Sequence, residues 1–177
     1  MSERESLADL SLRAESQSDS AAVFEVVADA FPTDSEARLV AELRGATDPQ
    51  ISLVAESGGL VIGHILFTPV GIDCPGGALQ GMGLAPLAIR KPYQRQGVGS
   101  ALVAGGLSRC REVGAPVVVV LGHPEYYPRF GFRPAWDRGL YHLAPKPNPS
   151  FMVLELEAGA LPEGCGEVHY HPFIEAL

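Results

Sequence analysis

The sequence has no apolar run of roughly 18 residues, the length that a membrane-spanning helix needs, so no transmembrane segment is expected. Cysteine is scarce. There are three, Cys74, Cys110 and Cys165, and their odd count and wide spacing point to neither a disulfide framework nor a zinc site. Basic charge is also short: 13 Lys and Arg against 21 Asp and Glu leave a net charge of −8, the reverse of a nucleic-acid binder's footprint. The first ten residues, Met1 to Leu10, are acidic and polar rather than basic then apolar, unlike a signal peptide. No internal repeat or low-complexity stretch is visible. These absences describe a cytoplasmic protein, monomer or homodimer, with no nucleic-acid or membrane partner and no metal.

What is present fits one globular unit. Hydrophobic residues make up 46% of 177 and charged residues 19%, enough to bury a core. Residues 1–8 read as a flexible tail and 9–177 as a single domain. Leu10 to Arg13 reads as a first strand. Val23, Val26, Val27, Ala30 and Phe31 fall at helical spacing, with Ser18 as the cap and Pro32 as the stop. Thr33 and Glu36 have the spacing of a capping box ahead of Leu39, Val40 and Leu43, with Gly45 closing a second helix. Ile51 to Glu56 and Leu60 to Ile72 read as strands joined by a Ser57-Gly58-Gly59 turn. Leu84 to Ile89 is the next strand, followed by a helix from Gly97 to Val113. Gly105-Gly106 in that helix should cost about 1 kcal/mol each relative to alanine unless close packing needs them.

The remaining elements are equally short. Val117 to Leu121 is an apolar, β-branched run, as in a strand buried on both faces. Pro124 to Phe130 reads as a short helix, Phe132 to Trp136 and Phe151 to Glu157 as strands, and Val168 to His171 as a last short strand or arm. The order argues for a mixed α/β (α+β) domain.

The segment Arg90-Lys91-Pro92-Tyr93-Gln94-Arg95-Gln96-Gly97-Val98-Gly99 carries the most chemistry. A strand runs into it and a helix runs out of it. Unpaired N–H groups and the helix dipole at such a start attract phosphate, and glycine lets the backbone approach closely. Arg90, Lys91 and Arg95 add local positive charge to an acidic chain. A dinucleotide turn would want a third glycine, but Leu102 stands there; a P-loop would want a lysine, and none lies between Lys91 and Lys146. The remaining reading is Gln94-x-x-Gly97-x-Gly99, with N–H groups from Arg95 to Ser100 facing a pyrophosphate.

With that motif in place, the chain resembles the GNAT superfamily of acyl-CoA-dependent N-acetyltransferases. Gln94-x-x-Gly97-x-Gly99 matches the family's acetyl-CoA signature, and Tyr127-Pro128-Arg129-Phe130-Gly131-Phe132 matches its Tyr-x-x-x-Gly-Phe element. Gly83 to Ile89, Leu121-Gly122-His123-Pro124 and Tyr170-His171-Pro172-Phe173 resemble the bacterial YhbS-like branch. The resemblance, covering roughly residues 10 to 173, implies a central, mixed, mostly antiparallel twisted sheet, splayed between its fourth and fifth strands and flanked by helices. It implies acetyl-CoA as co-substrate and an amine as acceptor. Backbone of Leu87, Ala88 and Ile89 would pair with the pantetheine, and Gln94, Arg95, Gln96, Gly97, Val98, Gly99 and Ser100 would hold the phosphates.

Pro86 suits a place where the strand ladder is interrupted. Tyr127 would donate to the departing sulfur. His123 is the candidate base, with Glu125 behind it and His64 read as a satisfied side chain on a sheet face; a water chain is the alternative to any single base. Arg129 and Arg133 are solvated or contact CoA phosphate. The loop Phe31 to Asp34 would border the acceptor. A non-catalytic acyl-CoA sensor on the same fold is the second reading.

Overall fold

The computed structural model describes Leu7 and residues 9–176; of the expected tail at 1–8, all but Leu7 lies outside the described residues. The chain order is β1 (Ser11–Ala14), α1 (Ser20–Ala30), α2 (Ser35–Leu43), β2 (Ile51–Ser57), β3 (Leu60–Ile72), β4 (Leu79–Ile89), α3 (Val98–Glu112), β5 (Val117–Leu121), β6 (Arg133–Pro134), β7 (Phe151–Glu155), β8 (Val168–His169) and α4 (Pro172–Glu175). The strands form one sheet in the order β1-β2-β3-β4-β5-β7-β6, with β8 added on the end of β3. All pairs are antiparallel except β4 with β5. The fold is the mixed α/β, mostly antiparallel arrangement that the resemblance implied.

Alternation along the strands decides what each face buries. In β5, Val118 and Val120 face the core beneath α3, while Val117 and Val119 face the opposite core. On the first face α3 packs through Leu102, Val103, Leu107 and Cys110. Gly106 is required there: a Cβ on it would stand 2.2 Å from the Phe67 ring. On the other face α1 and α2 bury Val23, Val26, Val27, Val40 and Leu43 against Val54, Leu66 and Ala88. The C-terminal arm covers the rest of that face with Leu140, Leu161, Val168 and Tyr170.

Two features open the sheet at one point. Pairing of β4 with β5 covers only Met82↔Val118, Gly83↔Val119 and Leu84↔Val120, after which β4 runs on with β3 alone. In that ladder Leu84 pairs with Phe67 and Leu87 with Ile65, so Ala85 and Pro86 oppose the single residue Leu66. This is a β-bulge, and it falls where β4 leaves β5. Pro86, which has no N–H to offer a ladder, sits in it, preceded by a cis peptide bond.

Several expectations need correction. Cys74 and Cys165 are joined by a disulfide, and only Cys110 is free and buried. Their separation of 91 residues hides the pairing in the sequence, but β8 lies on the end of β3 through Ile72↔Val168 and brings the two segments together. The cap of α1 is Asp19 rather than Ser18. No capping box forms at α2: its cap is Asp34, which leaves Glu36 one position too early to reach back. The expected helix at Pro124 to Phe130 is a 3-10 turn over Tyr127–Phe130, ended by Gly131 at φ 95°. Pro128 inside it has no N–H for a helical bond. The strand expected at Phe132 to Trp136 is only Arg133–Pro134, followed by a 3-10 turn over Ala135–Arg138. Among the described residues, no helix is long and apolar enough to cross a membrane.

Candidate active site

The gap between β4 and β5 opens into a cavity of about 1130 Å³. Its floor is the end of β4, with Leu84, Ala85, Pro86, Leu87 and Ile89 among the lining residues. Backbone direction along this stretch follows from two hydrogen bonds. The Arg90 N–H donates to the Ile62 carbonyl at 2.9 Å, so Arg90 faces β3. The Ile89 carbonyl accepts from Gln94 Nε2 at 2.9 Å on the other side. Residues alternate in an antiparallel strand. Leu87 and Ile89 therefore present backbone groups to the gap, and Ala88 presents its own to His64 of β3. Ala88 does not line the cavity; its side chain is buried under α1 and α2.

One wall is the turn into α3. Arg95 at φ 60° and Gly97 at φ 89° both adopt the left-handed region. Gly97 caps α3, and the Ala101 N–H is the one that returns to its carbonyl, at 2.9 Å. The N–H groups of Val98, Gly99 and Ser100 thus have no acceptor within the helix. Together with the left-handed turn they make an anion cradle. Gln94, Arg95, Gly97, Gly99 and Ser100 line the cavity. Gln96 and Val98 turn their side chains away, Gln96 Nε2 donating to the Pro92 carbonyl at 2.9 Å and Val98 entering the core. Arg90 and Lys91 are also spent elsewhere, on Glu25 and Asp29 of α1. The positive charge at this wall with no salt-bridge partner among the described residues comes from Arg95 and from Arg129, whose Nε donates to the Tyr126 carbonyl at 2.9 Å and whose guanidinium lies 4.5 Å over the Tyr126 ring.

Two tyrosines stand between the α3 turn and the end of β5, each in space left by a glycine. Tyr126 Oη lies 3.4 Å from Ser100 Oγ, and a Cβ on Gly99 would come within 3.0 Å of that hydroxyl. The Tyr127 ring lies over Gly122, where a Cβ would meet it at 2.5 Å. Burial, with the Tyr126 phenol beside it, pushes the Tyr127 hydroxyl above the ordinary tyrosine range. It therefore stays protonated at neutral pH. His123 lines the cavity as an exposed side chain, and its carbonyl accepts from the Tyr126 N–H at 3.0 Å. Glu125 and Arg133 are not among the lining residues. His64 is fully buried in β3, 2.8 Å from Ser52 Oγ and 3.3 Å from Glu15 Oε2, away from the cavity.

The opposite wall carries Glu36 and Leu39 of α2, His142, Leu143, Tyr170, and Ile174 and Glu175 of α4; of these only Tyr170 lay in a family motif, and none was expected at the site. Of the loop Phe31 to Asp34, expected to border an acceptor, Phe31 lines the cavity, whereas Asp34 pairs with Arg38 on the surface. Glu36 had the spacing of a helix cap; the rest come together because β8 docks on the end of β3 and α4 packs against α2.

A family model described as an acetyltransferase (GNAT) domain matches residues 11–135. The chain is 41% identical over 142 residues to the uncharacterized N-acetyltransferase YhbS of Escherichia coli K12, across 80% of this chain and 84% of that protein. It is 42% identical over 140 residues to the uncharacterized N-acetyltransferase YjhQ of the same organism, across 75% of this chain and 74% of that one. The crystal structure of E. coli YhbS in complex with CoA matches with a TM-score of 0.86 and 35% identity, covering 97% of this chain and 94% of that one. A GNAT acetyltransferase from Brucella melitensis in complex with acetyl-CoA matches with a TM-score of 0.76 and 31% identity, covering 94% and 98%.

Proposed function

The chain belongs to the GNAT acetyltransferase family, and from that membership we propose that it transfers the acetyl group of acetyl-CoA to a primary amine by direct attack on the thioester. The observation that carries this reading is the single cavity shared by an open β4 edge, the α3 cradle and a buried Tyr127. The groups of that wall suit the successive parts of the co-substrate. N–H groups at the start of α3, with Arg95 and Arg129, hold the pyrophosphate. Leu87 and Ile89 offer backbone groups to the amides of the pantetheine arm, as an added strand would. A β4 N–H facing the gap also stands where it can stabilise the thioester oxygen as negative charge develops on it.

The reaction balances as follows. A protonated amine first loses one proton to His123 or to water. The free nitrogen attacks the thioester carbon, the C–S bond breaks, the sulfur leaves with its electron pair, and the proton that the acylated nitrogen then sheds ends on the thiolate. Tyr127 donates a hydrogen bond to that sulfur. The products are the acetylated amine and CoA, with one proton released. A non-catalytic acyl-CoA sensor would have no use for a donor at the sulfur, so Tyr127 favours the enzyme. We place the reaction in the cytoplasm, where CoA thioesters are co-substrates; the Cys74–Cys165 disulfide is then a feature uncommon for that compartment.

Thiol release from acetyl-CoA across a panel of primary amines tests the proposal. Amine-dependent CoA formation is the expected result. Tight acetyl-CoA binding without turnover of any amine would leave the sensor.

A further inference from the structure

The cavity has two electrically different walls. Arg95 and Arg129 stand with the start of α3, and no other Lys or Arg is among its described lining residues. The wall built from α2 and the C-terminal arm instead carries Glu36 and Glu175. Glu175 is occupied, its Oε1 accepting the Tyr170 N–H at 3.1 Å. Glu36 is not: its Oε2 is buried and has no hydrogen-bond partner among the described residues. A carboxylate oxygen removed from water without a donor is costly unless a ligand supplies one. Tyr170 repeats the pattern independently. It lines the cavity, is 7% exposed, and its hydroxyl has no partner among the described residues.

Around these two polar groups the wall is apolar, formed by Phe31, Leu39, Ile174 and Leu143, the last 70% exposed to the opening. A bound molecule would meet the buried Oε2 of Glu36, the Tyr170 phenol, hydrocarbon and the His142 ring, whose Nδ1 is engaged with the Val168 carbonyl at 2.9 Å, but no Lys or Arg. A carboxylate placed next to the amine would therefore be desolvated with nothing to pair it.

We infer that the acceptor is a small amine on an apolar stem, with no carboxylate beside its nitrogen, and that Glu36 holds its ammonium group while Tyr170 meets its polar edge. This rests on the acetyltransferase reading and adds the substrate class to it. Free α-amino acids are disfavoured because this wall offers their carboxylate no Lys or Arg. Aryl- and alkyl-ethylamines fit.

The test titrates 2-phenylethylamine and phenylalanine calorimetrically into protein already saturated with CoA, so that it reads binding rather than turnover. The amine should bind at least about tenfold more tightly than the amino acid, the scale on which one unpaired buried charge discriminates. Glu36→Gln should weaken the amine at least about tenfold and Glu36→Asp should recover part of it, with CoA affinity unmoved in both. Equal binding of the two ligands, binding of neither, or wild-type amine affinity in Glu36→Gln would overturn the inference. So would acetylation of a lysine-containing peptide with no turnover of the small amines. Failure of the wild-type protein to bind CoA at all would instead overturn the acetyltransferase reading.

Discussion

The two halves of the cavity are made of different material. The half proposed for acetyl-CoA, the donor half, is mostly backbone: the free edge of β4 past Leu84, the N–H groups at the start of α3, the left-handed Gly97, and Gly99 and Gly122, which keep Cβ atoms out of the way. The half proposed for the amine, the acceptor half, is mostly side chains, lent by α2, the segment around His142 and the C-terminal arm. A backbone site constrains residue type, because glycine enters a left-handed turn without strain and leaves room for a 2.5 Å approach. A side-chain site dictates only that some suitable group arrive there, from any part of the chain. The halves meet at Tyr127.

Tyr127→Phe is the strongest test of that meeting point. The ring keeps its packing on Gly122 and Phe132, so the fold and acetyl-CoA affinity should stand. Only the hydroxyl is lost. Turnover should fall about 10²–10⁴-fold, the usual contribution of a positioned proton or hydrogen-bond donor. Unchanged turnover would reduce Tyr127 to a packing residue.

Gly97→Ala asks whether the donor half really is a backbone site. Gly97 sits at φ 89°, and nothing lies within 4 Å of where its Cβ would be, so alanine meets no steric clash with neighbours. The strain of a left-handed L-residue, about 1–2 kcal/mol, is the whole perturbation. Relieving it rotates the turn and takes the cradle's N–H groups off the phosphate. Acetyl-CoA affinity should drop about tenfold, with discrimination among amines unmoved. A shift in amine preference instead would mean that the halves are not separable.

This difference in material explains what could be read from the sequence. The strand, glycine turn and helix are contiguous from Leu84 to Val113, and local chemistry sufficed for them and for β5, whose four valines read correctly as buried on two faces. The tyrosine turn after β5 was expected as a helix, and only the family resemblance marked Tyr127. The acceptor half had no such continuity. Glu36 sits where a capping residue would, Cys165 finds Cys74 from 91 residues away, and Tyr170 reaches the cavity because β8 docks on the end of β3. Even in the donor half, alternation was missed: three consecutive residues, Leu87 to Ile89, were expected to serve the ligand, but a strand can turn only every other one toward it.

The smallest functional effect, and the most specific, is expected at a joint behind both halves. Glu15 follows β1 and accepts hydrogen bonds from Ser52 of β2 and from Arg44 at the end of α2, with His64 Nε2 of β3 at 3.3 Å. It thus ties the α2 wall to the strands that back β4. Burial alone would raise its pKa, but the hydrogen bonds from His64, Ser52 and Arg44 outweigh burial and hold the carboxyl at about 2, against an ordinary 4.5. A depressed folded pKa means that the unfolded chain binds the proton more readily. The stabilisation is therefore complete above pH 4.5 and is lost as the pH falls toward 2. Glu15→Gln should leave kcat near wild type at neutral pH, since Glu15 does not line the cavity. It should lower stability by about 1–3 kcal/mol there and flatten the acid decline of the urea midpoint below pH 4.5. A variant that keeps the wild-type slope would shift the acid sensitivity to another gripped carboxylate. Asp19, held by two nitrogens of Arg13 at the far edge of the sheet, would then carry it, and the two halves of the cavity would not be joined through Glu15.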